Sequence, residues 1–415
     1  MNQKKNILVF CDTFLPPAYK PRVRYFCSYF QKNDYNLTMI TEYNNEQNLL
    51  PDSFPVYSID YYRFRGSFLY RFEWVLKIIL NLFFPHKSIF FYRKARKLLK
   101  NKHFDVVFCS TDFHPSPLIT AAMMAKKLHV LPLFVDLRDI FEQSPDSSSF
   151  IAKKPDNFLV KSIIELYRKI NIKRRNKVLK QAAGISSVSD WHVQFLKKFN
   201  PNTHLIHNGF DETLFIQQNR NLDNFFISYF GDVFSEQSQD PNILFAAIRN
   251  LEKCKKITPE KFYIKWFVGE NSKQIIQKIA KKHNVEKFMS FEKQVLNEQY
   301  VTELSKSSIL LILCSSVGAK KHSGIMTTKF FEYVGVNRPI LCTPNNNDEL
   351  AETINAIGCG LVSSDVVEIE NFILERYAEW QETGFTKGTV SSENRIKFSR
   401  RNGAEILEKL LSNLA

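Results

Sequence analysis

Short apolar runs rich in Val, Ile, Leu and Phe alternate with longer helical patterns along the whole 415-residue chain. This alternation predicts βα units, and successive βα units form parallel sheets covered by helices. In the first half we predict strands near 6–11, 36–41, 105–109, 130–135 and 184–188, and helices over 21–32, 67–84, 88–101, 115–128, 156–182 and 190–198. In the second half the predicted strands are 226–230, 263–268, 288–291, 309–313, 339–341 and 360–362.

The two halves have similar patterns, and the polar segment 208–224 between them has no sustained apolar period, which is typical of a linker. At about 150 residues per domain, the length fits roughly two to three domains. We therefore predict two open α/β domains in tandem. Ligands of such sheets bind beyond the carboxyl ends of the strands, so the expected site is the cleft between the domains.

The chain is 44% hydrophobic and 24% charged, a balance typical of folded globular proteins. Its seven cysteines are scattered singly, so neither a disulfide framework nor a structural zinc site is expected. The N-terminal apolar stretch, in MNQKKNILVFCDTF, is short and lacks a small-residue cleavage site, which indicates a first strand rather than a signal peptide. These features predict a cytoplasmic protein.

Positive charge is concentrated in one half of the chain. Residues 1–200 carry 32 Lys and Arg against 16 Asp and Glu, whereas residues 201–415 carry 25 against 26. A coding bias toward Lys, Asn and Phe is the simple alternative, but it would act on both halves. The asymmetry therefore predicts an anionic surface or ligand for the first half. Nucleic acid is not expected, because no recognition motif accompanies the charges.

The apolar segment 68–84 contains Arg71, Glu73 and Lys77, so it does not predict a transmembrane helix. One helical face has Leu69, Phe72, Leu76, Ile79 and Phe83, and another has Glu73, Lys77 and Asn81. Two interpretations stay open: a core-packed helix, or an interfacial helix with a basic collar. The collar would consist of the cations that follow, Arg93, Lys94, Arg96, Lys97, Lys100 and Lys102. A second basic run spans 161–180.

The densest chemical signal is HSGIMTTKFFEYVGVNRPIL, residues 322–341. Lys329 and Glu332 lie three apart, hence on one face of a helix that follows a strand. A lysine and free backbone N–H groups near a helix N-terminus favour a phosphate. A carboxylate one turn further on can accept hydrogen bonds from ribose hydroxyls, so the pair predicts a nucleoside-diphosphate site. The alternative is a surface i,i+3 ion pair.

The segment TKFFEYVGVNRPIL resembles the donor-site segment of retaining glycosyltransferases with the GT-B fold, specifically glycosyltransferase family 4. Four further stretches resemble that family in the right order: ILVFCDTFLPPAYKPRVRYFCSYF, FVDLRDIF, ISSVSDWHVQFLKKF with HLIHNGFDETLF, and ISYFGDVF. The resemblance implies an α/β GT-B fold, with two Rossmann-like domains whose parallel sheets face a central cleft. Residues 1–208 would bind the acceptor and 209–389 the donor, and a C-terminal helix at about 390–415 would pack back onto the first domain.

The resemblance also implies roles for donor-binding residues. Glu332 would hold the ribose and Lys329 would lie near the diphosphate, with the backbone of Gly231 close to the phosphates. The full expected donor set is Gly231, Asp232, Gly269, Ser323, Gly324, Ile325, Thr328, Lys329 and Glu332. The sequence departs from the family at Gly324, where a first Glu is common, and after Gly231, where the usual diphosphate-binding cation is absent. Lys329 or Arg138 would then neutralise the diphosphate.

Candidate residues of the first domain come from strand ends. His114 could hydrogen-bond the transferred sugar or an acceptor hydroxyl, or it could merely flank a helix; Asp112 is its neighbour. Arg138 and Asp139 end the next strand as acceptor contacts, unless they form a mutual surface salt bridge. Arg22 lies at the start of a helix, where the helix dipole disfavours a cation, so an anionic acceptor is the expected partner.

The predicted reaction transfers a sugar from a nucleotide-diphosphate sugar to a lipid-linked glycan in cell-surface polysaccharide synthesis, with retention of configuration. His114, Lys329 and Glu332 are the catalytic candidates. No cofactor is expected, and the absence of an Asp-x-Asp motif predicts metal independence. Peripheral attachment to the inner face of the cell membrane is expected from the basic half. The alternatives are a GT-B sugar-nucleotide epimerase, an inverting transferase, or a catalytically weak nucleotide- or polyanion-binding protein.

Overall fold

A computed structural model describes residues 5–13, 21–43, 54–112, 115–128, 130–143, 158–216, 221–295, 297–316 and 324–414. The chain divides into two compact units, Met1–His207 with Gly403–Ala415, and Asn208–Asn402. The second boundary between the units, between Asn402 and Gly403, lies inside the last helix, Arg400–Ser412. Two residues of the predicted sites, His114 and Ser323, lie outside the described residues.

The described part of the first unit contains a seven-stranded parallel sheet in the order β3-β2-β1-β4-β5-β6-β7. Its strands are β1 (Asn6–Thr13), β2 (Asn36–Glu42), β3 (Val56–Ile59), β4 (Val106–Thr111), β5 (Leu133–Leu137), β6 (Gly184–Ser187) and β7 (Thr203–Leu205). Its helices are α1 (Pro21–Lys32), α2 (Tyr70–Phe83), α3 (His86–Leu98), α4 (Pro115–Lys127), α5 (Phe158–Leu179) and α6 (Asp190–Leu196). Central strands such as β1 are buried on both faces, which explains why they are continuous apolar runs.

The described part of the second unit contains a six-stranded parallel sheet in the order β10-β9-β8-β11-β12-β13. Its strands are β8 (Phe225–Phe230), β9 (Phe262–Phe267), β10 (Met289–Glu292), β11 (Ile309–Leu313), β12 (Ile340–Thr343) and β13 (Gly360–Val362). Its helices are α7 (Asn242–Lys253), α8 (Glu270–His283), α9 (Asn297–Ser305), α10 (Thr328–Val336), α11 (Glu349–Ile357), α12 (Val366–Thr383) and α13 (Ser392–Lys397), and α14 (Arg400–Ser412) begins there. One apolar cluster lies on each face of this sheet.

The prediction of α/β architecture with parallel sheets is confirmed, and the predicted strands are present with ends within three residues of those expected. Strands β3 and β7 were not predicted. Both are short and lie at the edges of the first unit's sheet, where they bury fewer side chains. An edge strand therefore lacks the continuous apolar run that identifies a central strand.

In its described part, the segment predicted as a polar linker is packed rather than free. Phe210 and Phe215 are 2% and 4% exposed and belong to an apolar cluster of the second unit. A β-carbon at Gly335 of α10 would lie 2.8 Å from the Phe210 ring, so this glycine permits the close approach. Phe210 and Phe215 are isolated aromatic residues that form no periodic pattern, so the sequence did not predict their packing against α10.

The C-terminal region is two helices rather than one. α13 and the first residues of α14 belong to the second unit, and the division places Gly403–Ala415 in the first. Ala404, Leu407 and Leu411 recur at helical spacing and are buried in the first unit's core.

No single helix of the described residues is long and apolar enough to cross a membrane. The pair α2 and α3 passes that test together by length and composition, and the two helices are bent by 94°.

The packing of Phe210 predicts that Phe210→Ala destabilises the second unit by about 3–5 kcal/mol, because truncation of a buried Phe leaves a cavity. Leu214→Ala, in the same segment but 49% exposed, should change stability by less than about 0.5 kcal/mol. Thermal unfolding of both variants measures the difference. Equal melting temperatures would show that the segment is a linker after all.

Candidate functional site

The candidate site of the second unit lies where the order in which the chain adds strands to the sheet reverses. The chain builds β8, β9 and β10 outward on one side and then returns to place β11 on the other side of β8. Loops diverge at such a switch point and leave a crevice at the carboxyl ends of the strands. Gly231 follows β8 there with φ +106, a conformation that disfavours other residues. A β-carbon at this position would lie 3.0 Å from Lys329 Nζ.

Lys329 occupies the space beside Gly231, and no carboxylate oxygen of the described residues lies within 4.0 Å of its Nζ. Its Nζ donates a hydrogen bond to Tyr229 Oη at 3.0 Å and lies 4.2 Å from the centroid of that ring. Tyr229 Oη in turn donates to the carbonyl oxygen of Asp232 at 3.0 Å. Burial lowers the pKa of Lys329 to about 8, although the charges of Glu332 and Asp232 oppose the shift. This ammonium is therefore poorly compensated, and an anion would stabilise it.

Glu332 lies one turn further along α10. Its Oε2 accepts a hydrogen bond from Tyr300 Oη at 2.7 Å. Burial raises the pKa of Glu332, while Tyr300 and the charges of Arg400 and Lys329 act in the opposite direction. Lys329 and Glu332 have different hydrogen-bond partners, and the Lys329 Nζ lies more than 4.0 Å from the Glu332 carboxylate oxygens. The alternative of a surface i,i+3 ion pair is therefore wrong.

The start of α10 presents backbone donors near these side chains. Thr327 precedes the helix in extended conformation, and its side chain makes no capping hydrogen bond. The Phe330 N–H donates to the carbonyl oxygen of Thr327 at 3.1 Å, whereas the N–H groups of Thr328 and Lys329, at the first two helical positions, have no intrahelical acceptor in such a helix. Gly324, three residues before Thr327, is buried with φ +71, whereas Ile325 and Thr328 are exposed. The described part of this segment thus combines an uncapped helix start with the Lys329 ammonium.

Asp232 belongs to a polar group at the ends of three adjacent strands. Its Oδ1 accepts hydrogen bonds from Gln294 Nε2 at 3.0 Å and from Ser272 Oγ at 3.4 Å. A β-carbon at Gly269 would lie 3.4 Å from the same oxygen. The structure therefore brings together Gly231, Asp232, Gly269, Lys329 and Glu332 of the expected donor set at one edge of the sheet. Their roles remain predictions.

The first unit has its own switch point, between β1 and β4. Arg138 lies there between two carboxylates, with its Nη2 at 3.0 Å from Asp12 Oδ1 and 3.6 Å from Asp112 Oδ2. Asp139 instead accepts a hydrogen bond from Gln143 Nε2 at 3.0 Å. The alternative of an Arg138–Asp139 salt bridge is therefore wrong. The charge of Arg138 is already balanced, which argues against its use on a diphosphate.

Arg22 has a different environment from the one expected. It is 4% exposed and forms two hydrogen bonds to Asp136, whose carboxylate also accepts from Ser110 and Ser186 at 2.8 Å each. Burial would raise the pKa of Asp136, but Arg22 and the two hydroxyls lower it. Arg22 is therefore committed to an internal ion pair, and these contacts do not support an acceptor-binding role.

Sequence reasoning missed several residues of these sites, among them Tyr229, Tyr300, Gln294, Asp12 and Asp136. Tyr229 precedes Phe230 at the end of β8, where an aromatic residue is normally a core residue, so its hydroxyl carried no signal. Tyr300 and Gln294 lie far from Glu332 and Asp232 in sequence. Within the described ranges, no group of three or more His, Cys, Asp or Glu is placed to hold a metal ion. Metal independence stays a prediction.

The two doubly wound parallel sheets define the GT-B fold. The chain is similar to sucrose-phosphate synthase from Thermosynechococcus elongatus, with a TM-score of 0.64, 12% identity and 99% of each chain covered. It is also similar to HepE from Anabaena in complex with UDP and glucose, with a TM-score of 0.63, 13% identity, and 99% of this chain and 100% of that chain covered. A third similar structure is assigned as a UDP-N-acetylglucosamine 2-epimerase from Listeria monocytogenes, with a TM-score of 0.57, 11% identity, and 99% and 97% covered.

No family model matches the sequence, and no curated protein matches it significantly. At these identities the similar structures show the fold alone.

The pKa of Lys329 gives a stability prediction. The folded value of about 8 lies below the ordinary 10.5, so between these values the unfolded chain binds more protons and stability rises with pH. Lys329→Met should therefore be more stable than the wild type at pH 7, by about 1–3 kcal/mol. The advantage should shrink as pH rises from about 8 toward 10.5.

Unfolding midpoints across this pH range test the prediction, with Lys306→Met as the control because Lys306 is 41% exposed. A Lys329→Met variant less stable than the wild type at pH 7 would show that the ammonium is well compensated without a ligand.

Proposed function

We propose that this protein is a glycosyltransferase that transfers a sugar from a nucleotide-diphosphate donor to an acceptor hydroxyl. The observation that carries the proposal is the position of Lys329. Its ammonium lies beside Gly231 at the switch point, has a neutral hydroxyl as its hydrogen-bond partner, and is close in sequence to the uncapped start of α10. A diphosphate would supply the missing negative charge and accept hydrogen bonds from the first N–H groups of α10.

The other residues fit the remaining parts of such a donor. Glu332 would accept hydrogen bonds from the ribose hydroxyls, in an orientation held by Tyr300. Gly269 and the Asp232–Gln294 pair would border the base, and the backbone around Gly324 and Ile325 would lie under the sugar. Ser323 and Thr328 complete the proposed donor set. HepE, a similar structure, is described in complex with UDP and glucose, which supports this donor class.

The proposed reaction retains the configuration at the anomeric carbon, as the resemblance to glycosyltransferase family 4 implies. The bond from the anomeric carbon to the diphosphate oxygen breaks, and the acceptor oxygen forms the new bond on the same face. The acceptor proton passes to the departing diphosphate oxygen, so no protein nucleophile is required. Lys329 would stabilise the charge that develops on the diphosphate. A bound anion raises a lysine pKa, so this side chain would stay protonated during transfer. No cofactor or metal is required by this scheme.

The acceptor would bind to the first unit, at the carboxylates around Arg138. Asp112 and Asp139 offer oxygen atoms that can accept hydrogen bonds from sugar hydroxyls, and His114 follows Asp112 closely in sequence. The basic charge of residues 1–200 favours an acceptor on an anionic carrier. We propose a lipid-linked glycan of cell-surface polysaccharide synthesis, modified at the cytoplasmic face of the membrane.

A sugar-nucleotide epimerase is the second candidate, because a similar structure of comparable coverage is assigned that activity. Both enzymes would bind a nucleotide-diphosphate sugar at the second unit. They differ in the product: an epimerase releases an altered sugar without any acceptor, whereas a transferase releases a nucleoside diphosphate.

Nucleotide binding is the first test. In a thermal-shift panel of UDP-, GDP-, CDP- and dTDP-sugars, one nucleotide class should stabilise the wild type, by about 2.7 kcal/mol at 100 times its Kd. Glu332→Ala should bind that nucleotide about 10- to 100-fold more weakly, since it loses charged hydrogen bonds to the ribose. Glu375→Ala, whose carboxylate is 68% exposed on α12, is the matched control. A response of Glu332→Ala equal to the control would contradict the donor site.

If none of the nucleotides stabilises the wild type, the polyanion-binding alternative gains support. Heparin binding that weakens with salt in the absence of nucleotide turnover would then identify it.

Product configuration tests the retaining mechanism. With the stabilising donor and an acceptor identified by screening, the new glycosidic bond should have the same anomeric configuration as the donor. NMR coupling constants of the purified product report this configuration. An inverted product would exclude the front-face mechanism while leaving the donor site intact, and an altered free nucleotide sugar would identify an epimerase.

A further inference from the structure

Helix α2 packs with its polar face toward the protein. Glu73 is 8% exposed, and Lys77 and Asn81, which follow at intervals of four, are partly buried. Six apolar side chains of the same helix are exposed, Phe72, Trp74, Val75, Leu76, Ile79 and Phe83. The helix is therefore inverted relative to an ordinary amphipathic surface helix. The expectation of a core-packed helix is therefore wrong.

The buried carboxylate of Glu73 is fully engaged. Its two oxygens accept hydrogen bonds from the backbone N–H groups of Arg63 and Phe64 at 2.9 and 3.0 Å, and Lys77 Nζ lies 2.7 Å from Oε1. Burial alone would raise the pKa of Glu73, but these three contacts together lower it to about 2. A charged group that is so well compensated holds this face of α2 against the protein.

Contacts with Tyr61 and with Arg174 also fix the orientation of the helix. Lys77 donates to the carbonyl oxygen of Tyr61 and lies 4.1 Å from the centroid of its ring, while Asn81 Nδ2 donates to Tyr61 Oη at 3.1 Å. Arg174 of α5 donates to the carbonyl oxygens of Asn81 and Leu82 in the last turn of α2. Rotation of the apolar face inward would break all of these interactions.

The outer face of α2 and its flanks form a concentrated apolar surface, which we call the α2 face. Of the 21 exposed large hydrophobic side chains in the described residues, ten lie between positions 64 and 84. They are Phe64, Phe68, Leu69, Phe72, Trp74, Val75, Leu76, Ile79, Phe83 and Phe84. The most exposed are Phe68 at 89%, Phe83 at 80% and Phe72 at 72%. An apolar surface of this extent marks an interaction site.

Cations border the α2 face. From Asp60 to Lys102 the sequence has eleven Lys and Arg against two Asp and Glu. Arg71 on α2 is exposed, as are Arg93, Lys94, Arg96 and Lys97 on α3. Helix α5, which packs on α2, adds four exposed lysines, Lys161, Lys169, Lys173 and Lys177. The exposed cations on α3 also argue against insertion of the bent α2–α3 pair into the hydrocarbon core.

We propose that the α2 face docks on an anionic lipid bilayer, with α2 lying in the interfacial plane. Exposed Phe, Leu and Trp side chains would enter the acyl boundary, while the surrounding cations meet the headgroups. A second copy of the chain fits less well, because a two-fold contact through this face would bring the same cations together. The proposal rests on the surface alone and does not depend on the proposed transferase activity.

Vesicle binding tests the proposal, with the wild-type chain and vesicles in which about one lipid in three is phosphatidylglycerol. The wild type should sediment with these vesicles and bind pure phosphatidylcholine vesicles more weakly. The triple variant Phe68→Ala, Phe72→Ala, Phe83→Ala should bind at least about 1,000-fold more weakly, from a tenfold or larger loss for each inserted Phe. The matched control is Val367→Ala with Ile396→Ala, two exposed apolar residues of the second unit.

The electrostatic part has its own variant. Arg93→Gln, Lys94→Gln, Lys97→Gln should reduce binding to the anionic vesicles by about 100-fold, at roughly fivefold per charge, and leave binding to phosphatidylcholine unchanged. High salt should have the same effect on the wild type.

Trp74 gives a direct signal, since it is 47% exposed on α2 whereas Trp266 is fully buried. Its fluorescence should shift to the blue on vesicle binding and be quenched by brominated lipids. The Trp74→Phe variant should lose this signal and still bind. Melting temperatures equal to that of the wild type will show that the variants are folded.

Three results would overturn the proposal. The wild type could fail to bind the anionic vesicles, or the Phe triple variant could bind as well as the control. The wild type could also form dimers that the triple variant dissociates, which would make the α2 face an interface between copies. None of these results bears on nucleotide binding, so failure here is distinguishable from failure of the proposed function.

Discussion

The site of the second unit depends on the Lys329 ammonium, which has no carboxylate oxygen within 4.0 Å among the described residues. Lys329 lies against the turn at Gly231, and its hydrogen-bond partner is the neutral hydroxyl of Tyr229. A carboxylate in place of that hydroxyl would balance the charge and remove the attraction for an anion. Burial keeps the pKa of Lys329 near 8, so the side chain is still mostly protonated at neutral pH. The residue types around it, one aromatic hydroxyl and one glycine, therefore leave the charge available for a ligand.

In the first unit, by contrast, the buried cations near the switch point have carboxylate partners. Arg138 is balanced by Asp12 and Asp112, and Arg22 by Asp136, so both buried cations are compensated within the protein. Buried charges without partners are costly, and a carboxylate at each cation avoids that cost. Among the described residues at this edge of the sheet, carboxylates outnumber the cations. This charge suits sugar hydroxyls better than phosphate. The basic character of residues 1–200 therefore resides elsewhere on this unit, above all on α3 and α5.

Central strands and the positions of Lys329 and Glu332 could be read from sequence because their signals are local. A strand such as β11, ILLIL, is buried on both faces and shows it in every residue. Contacts over long sequence distances have no such signal: Tyr300 reaches Glu332 across 32 positions, and Arg22 reaches Asp136 across 114. The i,i+3 spacing of Lys329 and Glu332 fixed their common face, but it could not show that each has a different partner. Phe210 and Phe215 were missed for the same reason, since their packing partner lies on α10.

Helix α2 shows a further limit of periodicity. An amphipathic pattern identifies two faces of a helix, and hydrophobicity normally decides which face turns inward. Here three hydrogen-bonded contacts on Glu73 and the Arg174 contacts with the last turn override that rule. Burial of about five large apolar side chains would ordinarily stabilise a protein by several kcal/mol, and that stabilisation is forgone in water. A folded chain that keeps its apolar face outward by specific polar contacts is consistent with a second environment for that face, and the surrounding cations select an anionic one.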